Sequence, residues 1–477
     1  MRIASGLPAV IFLACALATA QNEGRLHRDL RVERDALKEC FKLNFSSFAG
    51  CAQTLAMGQP IHVAVGSLAP DNGVGFGLAF VEHKNFANEW RVSWDADAQA
   101  TLNSSWRAGA YMKAYRLPSG NTYRVAPLFN LYSQSISLSR VDYFGLGPNS
   151  LTINHSVFGF SENISGVDGA FPFKLGNAGP NVAIVAEFNG RFPSVRPAST
   201  ASLPSINQLF TESTAPGLSH QGAYIEPGVG IRLYPALLKD HIRLDYLLQI
   251  QGFVSPGDSV HSFRRLNLDF NHQIPLYSLL PGKAAQQYST VRTTAFIHNG
   301  PNDCSGSGSN ISLAHANAKI NDAVPCPAIS TTQKLEGAIN VRVFISESIS
   351  RRGNAVPFYF MPTIGGSDLN GTSLLASYPD YRFRGPDLFL FRGSFEHSVG
   401  KLPIGAYFSV DEAKVGMRRD DVSIAHLRHT YGLGITVHAG GLPLIYFLYA
   451  WGGNEGAHPI GTISPFLLGG SSRPSLF

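Results

Sequence analysis

His426 and His429 stand three residues apart, a spacing at which a helix can present two imidazoles to one metal ion. Here they sit at a loop-to-strand junction with no acidic ligand following, so no metal site is expected. The chain carries no GxSxG, HExxH, phosphate-loop or dinucleotide-binding pattern, and neither enzymatic activity nor a cofactor is expected. Cysteine is the next reactive type. Cys15 lies in the apolar leader, preceded by Leu13-Ala14, and Phe12 three positions before it argues against a lipid-modified cysteine. The other four fall into two local pairs, Cys40 with Cys51 and Cys304 with Cys326. An even count in an exported chain favours disulfides over metal ligation, each closing a short loop and stabilising by up to about 3 kcal/mol.

The remaining chemistry belongs to charges at two-residue spacing. From Trp90 to Leu102 the sequence WRVSWDADAQATL puts Trp90, Val92, Trp94 and Ala96 on one parity and Arg91, Ser93, Asp95 and Asp97 on the other. A strand points successive side chains to opposite faces, so one face is apolar and the other charged. Ile242 to Ile250 and Val182 to Phe188 repeat the pattern, with Arg243, Asp245, Glu187 and Arg191 on the polar parity. Such charges either line a conductive path or cross-link into a salt-bridged interior; the second is favoured. Trp90, Trp94, Trp106, Tyr446 and Trp451 suit an interfacial aromatic girdle or plain lipid-facing packing.

Long strands that are apolar on one face and polar on the other define an all-β fold, a transmembrane antiparallel β-barrel. Composition agrees: 477 residues, 15% charged, 11% aromatic and 48 glycines. The formal charge of +5 is small for this length, and without basic runs there is no support for nucleic-acid binding. Arg2, an apolar core over Ala9–Leu17 and Ala18-Thr19-Ala20 read as a secretory signal peptide over 1–20. No later stretch is long enough for a membrane helix. The location expected is the bacterial outer membrane, with outer-membrane lipid as the surrounding partner and a barrel that is monomeric.

Residues 21–71 read as a short periplasmic pre-barrel segment and 72–477 as the barrel. Leu26, Leu30 and Leu37 near helical spacing mark a helix within 25–39, either a plug or partner-docking element or, as favoured, a linker. Seventeen strand-like segments can be traced, among them 73–83, 289–298 and 356–364. Barrels of this kind use even numbers, so sixteen strands are expected. Either the join at Asn103-Ser104 is one long strand or an odd-length loop, or Gly73–His83 lies outside the wall. The long segments 193–220, 299–335, 365–386 and 412–427 are expected on one side, opposite the short turns, with Ile460–Leu468 closing the barrel.

DYFGLGPNS at Asp142–Ser150, GVDGAFPF ending at Phe173, VPFYFMPTIGGSD at Val356–Asp368, YPDYRFRG at Tyr378–Gly385 and AYFSVDEAKV at Ala406–Val415 together resemble the barrel of BamA/TamA-like bacterial surface antigens. The resemblance covers roughly Asn72 to Phe477 and implies sixteen strands. It also implies a loop before the twelfth strand whose Arg-Gly-aromatic motif folds into the lumen against a strand-borne Asp. The matching stretch is Leu375-Ala376-Ser377-Tyr378, with Ala376 in the arginine's place, and Asp411 matches the acidic partner. Because an unpaired buried carboxylate is costly, Arg382 or Arg384 is expected to pair with Asp411; the alternative is a water-solvated Asp411. Relatives that insert or translocate proteins carry periplasmic substrate-binding domains, and Gln21–Pro60 is too short for one. The resemblance implies transport or membrane assembly, of a protein or small-molecule substrate, by lateral opening between first and last strands or by gating through the 365–386 loop. The alternative is a structural or passive-diffusion barrel.

Overall fold

The computed structural model describes six helical positions (His27, Leu30, Arg31, Arg34, Asp35, Lys38) and then residues 61–463, excluding 87–89, 117–126, 175–180, 199–202, 235, 238–240, 278–334, 367–373, 400–403 and 440–441. The proposed signal peptide and Cys15, Cys40, Cys51, Cys304 and Cys326 lie outside the described residues. No described helix is long and apolar enough to cross a membrane; the chain crosses with strands.

Sixteen strands form one antiparallel wall. They are β1 Ile61–Ser67, β2 Val74–Phe86, β3 Trp90–Ala100, β4 Trp106–Arg116, β5 Pro127–Tyr143, β6 Ser156–Lys174, β7 Asn181–Pro197 and β8 Tyr224–Leu233. Then follow β9 Ile242–Phe253, β10 Phe263–Tyr277, β11 Leu335–Ser350, β12 Asp387–Ser398, β13 Ile404–Gly416, β14 Arg428–Ala439, β15 Leu442–Gly453 and β16 Gly456–Ile463. Ala236–Leu237 extends β8 along β9. Each strand pairs with its sequence neighbour, from Ile61↔Phe80 in the first hairpin to Ile445↔Ile463 in the last, and β1 lies against β16.

The wall is apolar outside and polar inside. In β3, Trp90 and Trp94 are each 39% exposed while Arg91 and Gln99 are 3% exposed; in β7, Phe188 is 55% exposed and Arg191 is fully buried. That inversion of a soluble protein's order is what lipid outside and a polar lumen inside require. Trp90, Trp94, Trp106 and Trp451 all sit on the outer face. Tyr446 does not: it packs edge-on to Tyr407 at 6.4 Å, inside the barrel, because the exposed parity of β15 is that of Phe447 and Tyr449.

Several boundaries differ from expectation. The wall begins at β1, before Asn72, and Gly73–His83 belongs to it as most of β2. Residues 101–105 form the odd-length loop that keeps parity across Asn103-Ser104, with Ala100 opposite Trp106. Residues 356–364 are not a wall strand but a capping segment built on a 3₁₀ turn at Phe358–Phe360; its Pro357 and Pro362 cannot donate to a ladder. The 289–298 segment lies outside the described residues. β10 ends and β11 begins side by side, Tyr277 opposite Leu335, and the 299–335 segment expected as a long loop lies, up to 334, outside the described residues. The loops 144–155, 198–223, 351–386 and 417–427 do gather at one end.

At that end the lumen face turns apolar. A register shift between Leu138 and Val141 lets both point inward, as a bulge does by adding residues to one strand. Above it Tyr143, Phe158, Phe160, Tyr224, Phe253 and Phe263 enclose Phe358–Phe360. Phe358 meets Tyr143 and Phe158 edge-on at 5.1 Å each. The aromatic cluster fills the lumen side of the wall at the loop end.

Candidate functional site

Below this cap the 351–386 loop bends back onto the wall. Leu374, Leu375 and Tyr378 pack with Ile364 and Phe383 against Leu388, Leu390, Ala413 and Val415 of β12 and β13. Two two-residue strands, Thr363–Ile364 and Phe383–Arg384, pair to form the neck of the loop.

Three neighbouring strands supply the polar receptor. Arg392 of β12 is opposite Asp411 of β13, which is opposite Thr430 of β14. Arg392 donates from Nε to Asp411 Oδ1 at 2.6 Å and from Nη2 to Oδ2 at 2.7 Å, a bidentate pair of the stronger, charge-assisted kind. Arg392 also lies opposite Arg342, and like charges at that position repel. Arg342 turns the other way, onto both oxygens of Asp269. Each arginine thus has its own carboxylate.

Onto this row the loop places main chain and a hydroxyl. Leu375 N–H donates to Asp411 Oδ2 at 3.1 Å. Ser377 Oγ lies 2.6 Å from Thr430 Oγ1 and accepts the Gly453 N–H at 3.0 Å. Leu375 adopts a left-handed backbone, φ 50°, uncommon for a side chain of its size. The contact also requires glycine at 453: an added Cβ there would stand 2.7 Å from the Tyr378 ring and 2.9 Å from Ser377 Oγ.

The expected pairing of Arg382 or Arg384 with Asp411 is not what forms. Arg382 donates from Nε to Glu455 Oε2 at 2.7 Å and from its terminal nitrogens to Ser150 Oγ and O. Arg384 donates to the Phe358 carbonyl at 2.8 Å, and burial pulls its pKa down to about 10. Both arginines are buried between rings, Arg382 over Phe144 and Phe383 and Arg384 over Tyr143 and Phe358. Arg384 fastens the loop to the cap, and Arg382 fastens it to the β15–β16 turn and to the 144–155 loop. Tyr378 does join the site, edge-on to Phe383 at 5.3 Å and beside the Arg428 guanidinium. Nor is Asp411 solvated; it is 2% exposed.

Elsewhere the lumen charges are cross-linked along the wall. Arg107 pairs with Asp97, Lys113 with Asp95 at 2.9 Å and Arg232 with Asp245 at 2.7 Å. Arg191 bridges Glu162 at 2.8 Å and Glu226 at 3.1 Å. Among the described residues no group of three or more histidines, cysteines or carboxylates is assembled, around His426 and His429 or elsewhere.

Fold and site define a class: a membrane-spanning antiparallel β-barrel of sixteen strands with a long loop latched inside it. No family model matches the sequence and no curated relative does. Among solved structures it is similar to BamA from Haemophilus ducreyi lacking POTRA domains 1-3, with a TM-score of 0.43 and 12% identity over 85% of this chain and 68% of that one. It is also similar to CdiB from Acinetobacter baumannii (TM-score 0.42, 9% identity, 85% of this chain) and CdiB from Escherichia coli (0.44, 9%, 84%). The chain spans 59% of the length of each CdiB chain.

Proposed function

We propose that this chain is a bacterial outer-membrane barrel of the surface-antigen type serving transport or membrane assembly, with a lumen gated by the 351–386 loop. The observation that carries this reading is the latch. Leu375 and Ser377 are held on Asp411, Thr430 and Gly453 by a small set of directional bonds, so the 374–378 part of the loop can leave without breaking the wall's ladders. Loop lengths set the orientation: short turns face the periplasm and the capped end faces outward. Cleavage after residue 20 and disulfides Cys40–Cys51 and Cys304–Cys326 belong to the same reading. The substrate, polypeptide or small molecule, would pass through or beside the released loop, with no enzymatic step.

Deleting Thr363–Arg384 and recording planar-bilayer conductance tests the gate. Stable channels in the deletion and none in the full chain are expected. Equal conductance, with barrel stability unchanged, would overturn it. A structural role is favoured by a different observation, the pairing of lumen charges along the wall. Silence in both forms, with strand content confirmed by circular dichroism, would select that role.

A further inference from the structure

At the loop end a cavity of about 390 Å³ opens between segments 144–155, 198–223 and 417–427. Its apolar surface comes from Phe144, Leu146, Phe210 and Met417, and its polar groups are amides and hydroxyls such as Asn149, Asn154, Ser213 and Thr214. None of the lining residues is ionisable. Phe210 rests edge-on against Tyr143 of the cap core at 4.7 Å, so the cavity sits on the cap.

The walls are fixed in advance. The 144–150 segment is bolted down by Gly147 N–H on the Arg384 carbonyl at 2.7 Å, by Arg382 on Ser150 and by Arg428 on the Pro148 carbonyl at 2.6 Å. Gly145 and Gly147 take left-handed backbone angles, φ 101° and 85°, that let the segment turn beside Phe210 and Met417. By contrast, the described residues offer no hydrogen-bond partner to the side-chain amides of Asn149 and Asn154. Rigid walls carrying free amides lower the ordering cost of binding.

We infer that this cavity binds a neutral saccharide. A sugar ring offers apolar C–H faces and a belt of hydroxyls, matching ring and thioether walls beside the free Asn149 and Asn154 amides, while the Ser213 and Thr214 hydroxyls are already bonded to Thr211. A charged ligand would meet no counter-ion among the lining residues, and a bare acyl chain would leave the two amides unused. The volume is at the lower end for ligand pockets, roughly 300–1,000 Å³, and suits one or two sugar rings. Its outward position rests on the orientation proposed above. The saccharide is either a free glycan or the sugar portion of a membrane glycolipid.

The test is saturation-transfer NMR on the full chain refolded in an amine-oxide detergent, which has no sugar headgroup, with cellobiose and N,N′-diacetylchitobiose as probes. Saturable transfer is expected, weakened about ten-fold in the N149A/N154A double variant and abolished by S213W, with heat-modifiable mobility confirming that each variant is folded. Absence of transfer from the folded wild-type barrel, or transfer unchanged in S213W, would overturn the inference. Comparing free oligosaccharide with glycolipid vesicles then separates the two sources. Conductance is not part of the readout, so failure here is distinguishable from failure of the gate.

Discussion

The Leu375 main-chain N–H donates to the same Asp411 oxygen, Oδ2, that receives Nη2 of Arg392. One carboxylate therefore does two jobs. It neutralises a wall arginine and anchors a loop, and the loop contributes no charge of its own. Where the resemblance places an arginine, Ala376 leaves the cation's role to the wall, and the main chain beside it takes the remaining lone pair.

Asp411→Asn should therefore be more damaging than a lost loop contact. It removes the negative charge from the bidentate pair with Arg392, and breaking a buried ion pair costs about 3–5 kcal/mol. The urea midpoint of the refolded barrel should fall accordingly, whereas Ala376→Ser should leave it in place. An unchanged midpoint in Asp411→Asn would mean that water replaces the carboxylate.

The Ser377–Thr430 contact is neutral on both sides, and such a hydrogen bond contributes about 1 kcal/mol net. Ser377→Ala and Thr430→Val should each raise the open probability of single channels about five-fold. The double variant should exceed either single one but fall short of their sum, because the hydroxyl–hydroxyl bond is common to both, while Ser377→Ala also strips the acceptor from the Gly453 N–H and Thr430→Val that from the Ser377 N–H. Additive effects would mean that the two hydroxyls act separately. Raised ionic strength should leave this contact's contribution intact, since no charge is involved for salt to screen.

Gly453 tests the packing side of the latch. Its would-be Cβ meets the Tyr378 ring at 2.7 Å, and overpacking costs about 1–3 kcal/mol. Gly453→Ala should push the loop off the wall and expose 374–378 to protease without changing strand content. Protection equal to wild type would show that the ring can shift at no cost.

The wall was legible wherever both of its faces had side chains to display, as in β3, β7 and β9. β1 was not: it is only seven residues long, and Ala64 and Gly66 on its buried parity break the polar alternation that His62 begins. The Val356–Ile364 stretch misled in the opposite direction, because its aromatic run satisfies strand propensity while its burial comes from the cap. Asp411 was legible as a loop anchor, but its partner was not. Arg392 could be recognised as a lumen charge from parity, yet pairing it with Asp411 needs the β12–β13 register, which spans a turn whose sequence does not specify it. Ser377 and Thr430 gave no signal, since a hydroxyl on a loop and one on a strand are ordinary until they meet.

Arg191 is fully buried between Glu162 and Glu226, and its guanidinium also lies over Phe360 at 5.0 Å. It therefore ties β6, β7 and β8 to the underside of the cap. Arg191→Met keeps most of the volume but leaves two carboxylates unpaired, so a loss of about 3–5 kcal/mol is expected. Adding Glu162→Gln and Glu226→Gln should recover much of it. Failure to recover would show that the ring contact, not the charge pairing, is what holds the cap there.

In the outer loops Glu212 accepts main-chain N–H groups of Gly217 and of Ser219, the latter at 2.7 Å, and faces His261 Nε2 at 3.2 Å. Partial burial pushes its pKa up, but the two main-chain donors and His261 outweigh this and hold it below its ordinary 4.5. A carboxylate depressed in the folded state contributes stability above its unfolded pKa and loses it as pH falls through the folded value. The 211–219 turn should therefore stay ordered at neutral pH and loosen only in acid below the ordinary glutamate range, seen as faster proteolysis within 198–223 while the wall stays intact. Glu212→Gln should be looser at neutral pH and show a flatter acid response over that range. If the variant and the wild type loosen along the same pH curve, the acid sensitivity belongs to another group, with Asp258 on the other side of His261 the next to replace.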